Sequence, residues 1–493
     1  METFENYING EWISSESKKT FSSLNPANKE IIGYFQSSNS KDVEKAVKSA
    51  EQALPSWSEL PTPHRAEILL EVARLLRKNK EKLAKIVTTE MGKILKEGRG
   101  DVQEAIDIFE YIAGEGRRLF GHTTPSELKN KFCCTIRMPV GIFGLITPWN
   151  FPTAIPGWKL APALICGDTV IFKPSSDTPL CAIEIIKILE EAGVPKGVVN
   201  LITGSGEEVG NPIIKHPKIR GISFTGSRDT GEFILKNAGI KKIGLEMGGK
   251  NAIIIMDDAD LDLAIEGVLW GAFGTTGQRC TAASRVIIHK SVKSDFEDRL
   301  LSRTEKLRLG DGLKDTTDIG PLIAERAVKK THMYTEIGKK EGAKLLTGGC
   351  PVTDLKGFFY KPTIFTNVKP NMRIAQEEIF GPSLSIIETK DLDEAIKICN
   401  GTEYGLSSSI YTANINKAFK AIEKIEAGIV YINSSTIGAE VHLPLGGVKD
   451  TGYGREAGWT SIEEFSYEKT VYVDYSGRLQ KAQIDIVKIN KQG

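Results

Sequence analysis

Missing from this chain is any excess of charge of one sign. Its 64 Lys and Arg stand against 63 Asp and Glu, for a formal net charge of +1. Nucleic acid and anionic membranes usually call for a concentrated basic surface, so neither is an expected partner. Long apolar runs are also missing, and none approaches the ~18 residues that would span a bilayer. The start, Met1-Glu2-Thr3-Phe4-Glu5-Asn6, has neither the basic nor the apolar region of a signal peptide. Cysteines are few: 7, an odd number, scattered at 133, 134, 166, 181, 280, 350 and 399. That argues against a disulfide framework and for a reducing, cytoplasmic location. Cys133-Cys134 is an adjacent pair and not a CxxC, and the 6 histidines never join cysteines at metal-ligand spacing. No metal site is therefore expected. Internal repeats and low-complexity linkers are absent.

What is present is length and alternation. A chain of 493 residues exceeds one ordinary core, so two large domains are expected. Residues 65–118 read as helix, with Leu69, Val72, Leu76, Leu83 and Ile86 on one apolar stripe. Then four units repeat one pattern of apolar run, turn and helix. The runs are Gly141–Ile146, Thr169–Phe172, Val198–Ile202 and Gly221–Phe224. The turns are Thr147–Pro152, Lys173–Ser176, Thr203–Gly206 and Thr225–Ser227. Near-continuous apolar strands joined by helices predict a parallel sheet covered on both faces. Such sheets bind ligands at the carboxyl ends of their strands, so the four turns should converge on one crevice. A second alternation starts at Asn251–Ile255 and reads as a second α/β domain. Residues 121–140 and Lys469–Tyr475 look strand-like but belong to neither, and pair either across subunits or within the chain.

Several residues carry chemistry. Cys280 lies on the turn Gly277-Gln278-Arg279-Cys280-Thr281, between a helix-like Leu261–Gly274 and a strand-like Ser284–His289. That position exposes its sulfur. Glu246 lies in Leu245-Glu246-Met247-Gly248-Gly249-Lys250. A thiol and a carboxylate framed by glycines suggest a covalent intermediate that water later attacks. Phe224-Thr225-Gly226-Ser227 offers a close backbone approach and helix amides for a pyrophosphate. Lys173, at a strand end, suits a ribose hydroxyl or a phosphate. Gly204-Ser205-Gly206-Glu207-Glu208-Val209-Gly210 is glycine-rich, but its last spacing does not fit GxGxxG.

With these motifs the chain resembles the NAD(P)-dependent aldehyde dehydrogenase superfamily, from about Tyr7 to Val473. Thr147–Pro152, Phe224–Ser227, Leu245–Lys250, Gly277–Cys280, Glu377–Pro382 and Leu445–Lys449 match in family order. The resemblance implies a Rossmann-type doubly wound cofactor domain (1–120 and 141–247), an α/β catalytic domain (248–445), and oligomerisation strands with a tail (121–140 and 466–493). It implies a homodimer or homotetramer and a dinucleotide, NAD or NADP. Cys280 resembles the nucleophile, Asn150 the oxyanion-hole donor and Glu246 the general base. Thr147, Trp149, Lys173, Ser176, Gly206, Gly210, Gly226, Ser227, Met247, Gly248, Glu378 and Phe380 fall at cofactor-contact positions. Many NAD-preferring members carry a glutamate three residues after the Lys173 position. Ser176 stands there instead, and a serine would not repel a 2′-phosphate.

For the aldehyde, Arg279 resembles the carboxylate anchor of the antiquitin-like branch, which handles α-aminoadipic semialdehyde. Glu104 resembles a contact to the substrate's amino end, and Phe151 flanks the same site. The segment Gly438–Pro444 is more similar to α-ketoglutaric semialdehyde dehydrogenases. Both substrates carry a remote carboxylate, which an arginine suits; a structural ion pair is the competing role for Arg279. A CoA-acylating enzyme and a catalytically retired homologue are the alternative readings, and the intact Glu246 and Cys280 count against them.

Overall fold

Apolar runs whose alternate residues face opposite ways give each sheet two buried faces. In the computed structural model, which describes residues 2–438 and 440–485, two large sheets carry the chain. The first has eight strands in the order Gly452–Tyr453, Lys242–Glu246, Ile219–Thr225, Ile142–Ile146, Thr169–Lys173, Val199–Leu201, Asn6–Ile8, Glu11–Ile13. Its five central strands run parallel, and the pairings of Gly452–Tyr453 and Asn6–Ile8 are antiparallel. Phe143, Leu145, Val170 and Phe172 pack into one apolar cluster. Their sequence neighbours Ile142, Ile146 and Ile171 pack into another on the opposite face. Each such side chain contributes roughly 1.5–3 kcal/mol on full burial.

The second sheet has seven strands in the order Lys344–Thr347, Thr363–Thr366, Ser383–Thr389, Ala283–His289, Asn251–Ile255, Ser407–Tyr411, Ile429–Ile432. All pairings are parallel except that of the edge strand Lys344–Thr347. Ile253, Ile255, Val286 and Ile288 face one cluster, and Ala252, Ile254 and Ile287 face the other. The strand Gly452–Tyr453 returns to the first sheet from the far side of the second, beyond the 248–445 segment expected to form the catalytic domain.

The helical region predicted over 65–118 is divided. Helices span Thr62–Lys78, Lys80–Met91 and Leu95–Gly114. Gly92 closes the second with φ 96°, a left-handed conformation that glycine adopts without penalty. The Leu95–Gly114 helix packs against Ala154–Cys166, whose thirteen residues are all buried. Strands Lys131–Pro139 and Ser466–Asp474 pair with each other, antiparallel and within one chain. Of the expected tail, residues 486–493 lie outside the described residues, as does Ala439 of the Gly438–Pro444 segment. Among the described residues no helix is long and apolar enough to cross a membrane.

Candidate active site

The parallel strands of the first sheet bring their carboxyl ends to one edge. Thr147 donates its N–H to the Lys173 carbonyl at 3.2 Å, and Gly226 donates to the Glu246 carbonyl at 3.0 Å. Across from that edge stands the turn before Cys280. The helix Leu261–Phe273 ends there, and Thr275, Thr276 and Gly277 follow with φ of 51°, 59° and 70°. A methyl on Gly277 would lie 2.3 Å from the Gly381 carbonyl oxygen, so only glycine fits. Asn251 Nδ2 then fixes the Cys280 carbonyl at 2.7 Å.

A cavity of about 360 Å³ opens between the two sheets. Its wall contains Trp149, Asn150, Gly226, Ser227, Met247, Gly248, Cys280, Glu378 and Phe380, so nine of the sequence-predicted residues meet at one surface. Asn150 Nδ2 donates to the Gln278 carbonyl at 3.1 Å. The Trp149 and Phe380 rings meet edge to face, with centroids 5.5 Å apart. Glu378 accepts the Gly249 N–H at 3.0 Å, and a methyl on Gly248 would lie 2.5 Å from Glu378 Oε2. Met247 Sδ fills the space over Gly231, in the helix Arg228–Asn237 that Ser227 caps.

Thr147, Lys173, Ser176, Gly206 and Gly210 lie outside this wall, on the neighbouring strand ends and turns. The buried Thr147 hydroxyl has no partner among the described residues. Among the described residues Lys173 Nζ donates only to the Pro174 carbonyl, at 3.0 Å, and burial pulls its pKa down to about 8. Its side chain runs along Gly210, 3.8 Å from where a methyl there would sit. Ser176 Oγ donates to the Gly204 carbonyl at 2.9 Å. Space is open around Gly206.

Burial pushes the Cys280 thiol up to about 12, with Glu378, Glu246 and Glu456 adding to the effect. In the protein alone the low-dielectric surroundings and three carboxylates keep the proton on sulfur. Glu246 is buried, and its Oε1 has no hydrogen-bond partner among the described residues. Burial raises its pKa well above the carboxylate range, and Glu456 and Glu464 push the same way against Lys159. Lys159 contacts Glu456 and donates to Ser223 Oγ at 2.8 Å, while Thr225 Oγ1 donates to Glu456 at 2.6 Å. The sequence reading missed Lys159, Glu456 and Glu464. A single signal was available for one of them: Lys159 is the one charged residue within the apolar helix Ala154–Cys166.

Arg279 meets Phe151 outside this cavity wall, and Glu104 feels the Arg279 charge. The Arg279 guanidinium lies 4.8 Å from the Trp270 ring centre and 5.2 Å from that of Phe151. Its Nη2 pairs with Glu97 Oε1 at 3.1 Å. Glu104 is pushed up to about 7 by burial and then by Asp101, against Arg279 and Lys93.

Residues 12–471 match the aldehyde dehydrogenase family. The chain belongs to that family. It is 43% identical over 478 residues to alpha-ketoglutaric semialdehyde dehydrogenase of Bacillus subtilis, covering 96% of this chain and 98% of that protein. It is also 43% identical, over 479 residues, to alpha-ketoglutarate semialdehyde dehydrogenase of Haloferax volcanii, covering 96% of this chain and 99% of that one. Among solved structures it superposes on betaine aldehyde dehydrogenase of Staphylococcus aureus in complex with NAD+. The TM-score there is 0.95 at 36% identity, with 96% of each chain covered. The two-sheet architecture is thus that of the aldehyde dehydrogenase fold, as the sequence led one to expect.

Proposed function

We propose that this aldehyde dehydrogenase oxidises a semialdehyde with a remote carboxylate to the dicarboxylic acid, using NAD and also accepting NADP. The observation that carries the reading is Cys280 and Asn150 lining one cavity together with Ser227, Glu378 and Phe380.

The cavity suits a dinucleotide. Ser227 and the first amides of the helix Arg228–Asn237 can receive a pyrophosphate, and the glycines at 226 and 248 leave room for close approach. Lys173 would hold a ribose hydroxyl, and Glu378 and Phe380 the nicotinamide end. When bound, the cofactor supplies an oxidised, positively charged ring that accepts hydride. A positive charge in this cavity favours the ionised form of Cys280.

Once its proton has been lost to solvent, Cys280 Sγ forms a bond to the aldehyde carbon as the carbonyl π-bond breaks. The resulting alkoxide is held by Asn150 Nδ2, which carries a second N–H beyond the one given to Gln278, and by the Cys280 N–H. Loss of hydride from that carbon leaves a thioester on Cys280. Glu246 then takes a proton from water, the water oxygen attacks the thioester carbon, and the C–S bond breaks to release the acid and the Cys280 thiolate.

The relatives from Bacillus subtilis and Haloferax volcanii support an alpha-ketoglutaric semialdehyde as the substrate. Arg279 supports it further, because its Nη1 makes no hydrogen bond among the described residues although Nε and Nη2 do. A serine at 176 in place of an acidic residue supports tolerance of a 2′-phosphate. The test is kcat/KM across short, aromatic and carboxylated aldehydes, each with NAD and NADP. A panel that favours propanal or benzaldehyde over carboxylated semialdehydes defeats the substrate assignment. NADP binding a hundredfold weaker than NAD defeats the dual-cofactor assignment.

A further inference from the structure

One helix grips both loops of the proposed catalytic centre. Glu97 and Asp101 stand one turn apart on the helix Leu95–Gly114, a spacing that places them on the same face. Both are buried. Glu97 Oε1 accepts the Thr275 N–H at 2.7 Å and Arg279 Nη2 at 3.1 Å. Asp101 Oδ1 accepts Thr153 Oγ1 at 2.6 Å, the Ala154 N–H at 2.7 Å and the Thr153 N–H at 3.3 Å. Its other oxygen takes Lys93 Nζ at 2.9 Å. Thr275 begins the turn to Cys280, and Thr153 closes the loop that carries Asn150.

The first of these grips bears on strain. Thr275 and Thr276 are β-branched residues at φ 51° and 59°, a region that such side chains rarely adopt. A backbone of this kind persists only where its surroundings over-determine it. The N–H, hydroxyl oxygen and carbonyl of Thr275 each take part in a hydrogen bond. Its N–H goes to Glu97, its Oγ1 accepts Arg279 Nε at 2.8 Å, and its carbonyl accepts Gln278 N–H at 3.0 Å. The Gln278 carbonyl in turn receives Asn150 Nδ2 at 3.1 Å. Glu97 is therefore the fixed point from which the strained turn, the Asn150 amide and Cys280 take their positions.

We infer that Glu97 is a positioning residue whose acceptor oxygen on the Thr275 N–H holds the nucleophile turn in its productive conformation. The inference rests on the assignment of Cys280 as nucleophile. Two variants separate the bond to Thr275 from the charge opposite Arg279. Glu97→Gln keeps an acceptor at the same reach and loses the charge. Glu97→Asp keeps the charge and draws the acceptor back by one methylene.

The experiment measures kcat and KM with propanal and with a carboxylated semialdehyde, the Kd for NAD+, and the thermal midpoint of each variant. Glu97→Asp is expected to lower kcat about 100-fold with both aldehydes, as displaced reacting groups do. Its KM for propanal and its Kd for NAD+ should stay within about threefold, a split that general damage to the fold would not give. Glu97→Gln should keep kcat within about fivefold, because a neutral hydrogen bond has roughly half the strength of a charged one. The reverse ranking would mean that the charge on Arg279 is what matters, and it overturns the inference. Wild-type kcat in a folded Glu97→Asp enzyme also overturns it. Should Glu97→Asp fail to fold, the isosteric Glu97→Gln decides alone: a loss greater than about fivefold sinks the proposal. Cys280→Ala, run alongside, tests the nucleophile separately. If it retains turnover the catalytic reading fails, whatever Glu97 does.

Discussion

Asn150 Nδ2 lies 3.1 Å from the carbonyl oxygen of Gln278, two residues before the proposed nucleophile. One amide hydrogen thus locks the loop Thr147–Thr153 to the Cys280 turn, and the other has no acceptor among the described residues, in a cavity that both residues line. Asn150 is thus an anchor, and its proposed second role is that of a donor. Replacing Asn150 with Ala removes the side-chain donor to the developing alkoxide, and kcat should fall by ~100–1,000-fold. Cofactor affinity, proposed to be set at Ser227 and Glu378, should change little. Steady-state kinetics with a dinucleotide titration check both, and an Asn150→Ala enzyme within tenfold of wild-type kcat would remove the oxyanion role.

The pKa of Cys280, raised to about 12 by burial and three carboxylates, predicts a sluggish thiol in the cofactor-free protein. Alkylation of Cys280 by iodoacetamide should speed up about tenfold per pH unit through pH 10, following the thiolate fraction. Saturating NAD+ should raise the rate near neutral pH, since its ring brings a positive charge to the cavity. Peptide mapping by mass spectrometry assigns the label. A rate that levels off by pH 8 without NAD+ is incompatible with the burial argument. Cys280→Ala should abolish turnover outright.

How much of this could be read from the chain depends on the range of the interaction. The four strand–turn–helix units and the second alternation from Asn251 were legible because parallel strands buried on both faces need near-continuous apolar runs. Nine cavity residues were legible because they sit in short motifs at strand ends. The breaks at Asn79 and Gly92–Ile94 were hidden, since the apolar stripe runs on across them. The ties of Lys159 to Glu456 and Arg279 to Glu97 were hidden more deeply, being 297 and 182 residues apart in the chain. Buried ionic groups leave no periodic trace; only the folded sheet face, where Ser223 pairs with Gly244 and Thr225 with Glu246, brings them together.

That face yields a pH prediction. Glu464 lies over Gly244, two residues before Glu246 on the same strand, and a methyl on Gly244 would fall 2.2 Å from its carboxyl carbon. Glu464 Oε1 is buried without a hydrogen-bond partner among the described residues, and its negative form raises the pKa of Glu246. Glu246 acts as a base only when ionised, so kcat should fall as pH drops through its raised pKa. Glu464→Gln removes one neighbouring negative charge, and the acid limb of kcat should move to lower pH. Burial raises the pKa of Glu464 itself. The folded protein therefore keeps a proton that the unfolded chain releases above the ordinary glutamate range, and stability falls as pH rises through that window. Glu464→Gln should lack this loss and melt higher than wild type at neutral pH. An unmoved acid limb together with an unchanged melting profile would count against both steps.

Arg279 carries a structural load and a proposed substrate load that kinetics can separate. Its Nε and Nη2 are committed to Thr275 and Glu97, and its plane lies by Trp270 and Phe151. Replacing it with Leu loosens the turn before Cys280, and that defect reaches every aldehyde through kcat. It also deletes the cation available to a substrate carboxylate, and that defect reaches only carboxylated aldehydes, through KM. A hydrogen bond to a charged group contributes about 1.5–3 kcal/mol. KM for a carboxylated semialdehyde should therefore rise roughly 10- to 150-fold over any change for propanal, since 1.4 kcal/mol is about a factor of ten. Equal KM changes for the two aldehydes would leave Arg279 only its structural ion pair with Glu97, and the substrate's remote carboxylate would need another partner.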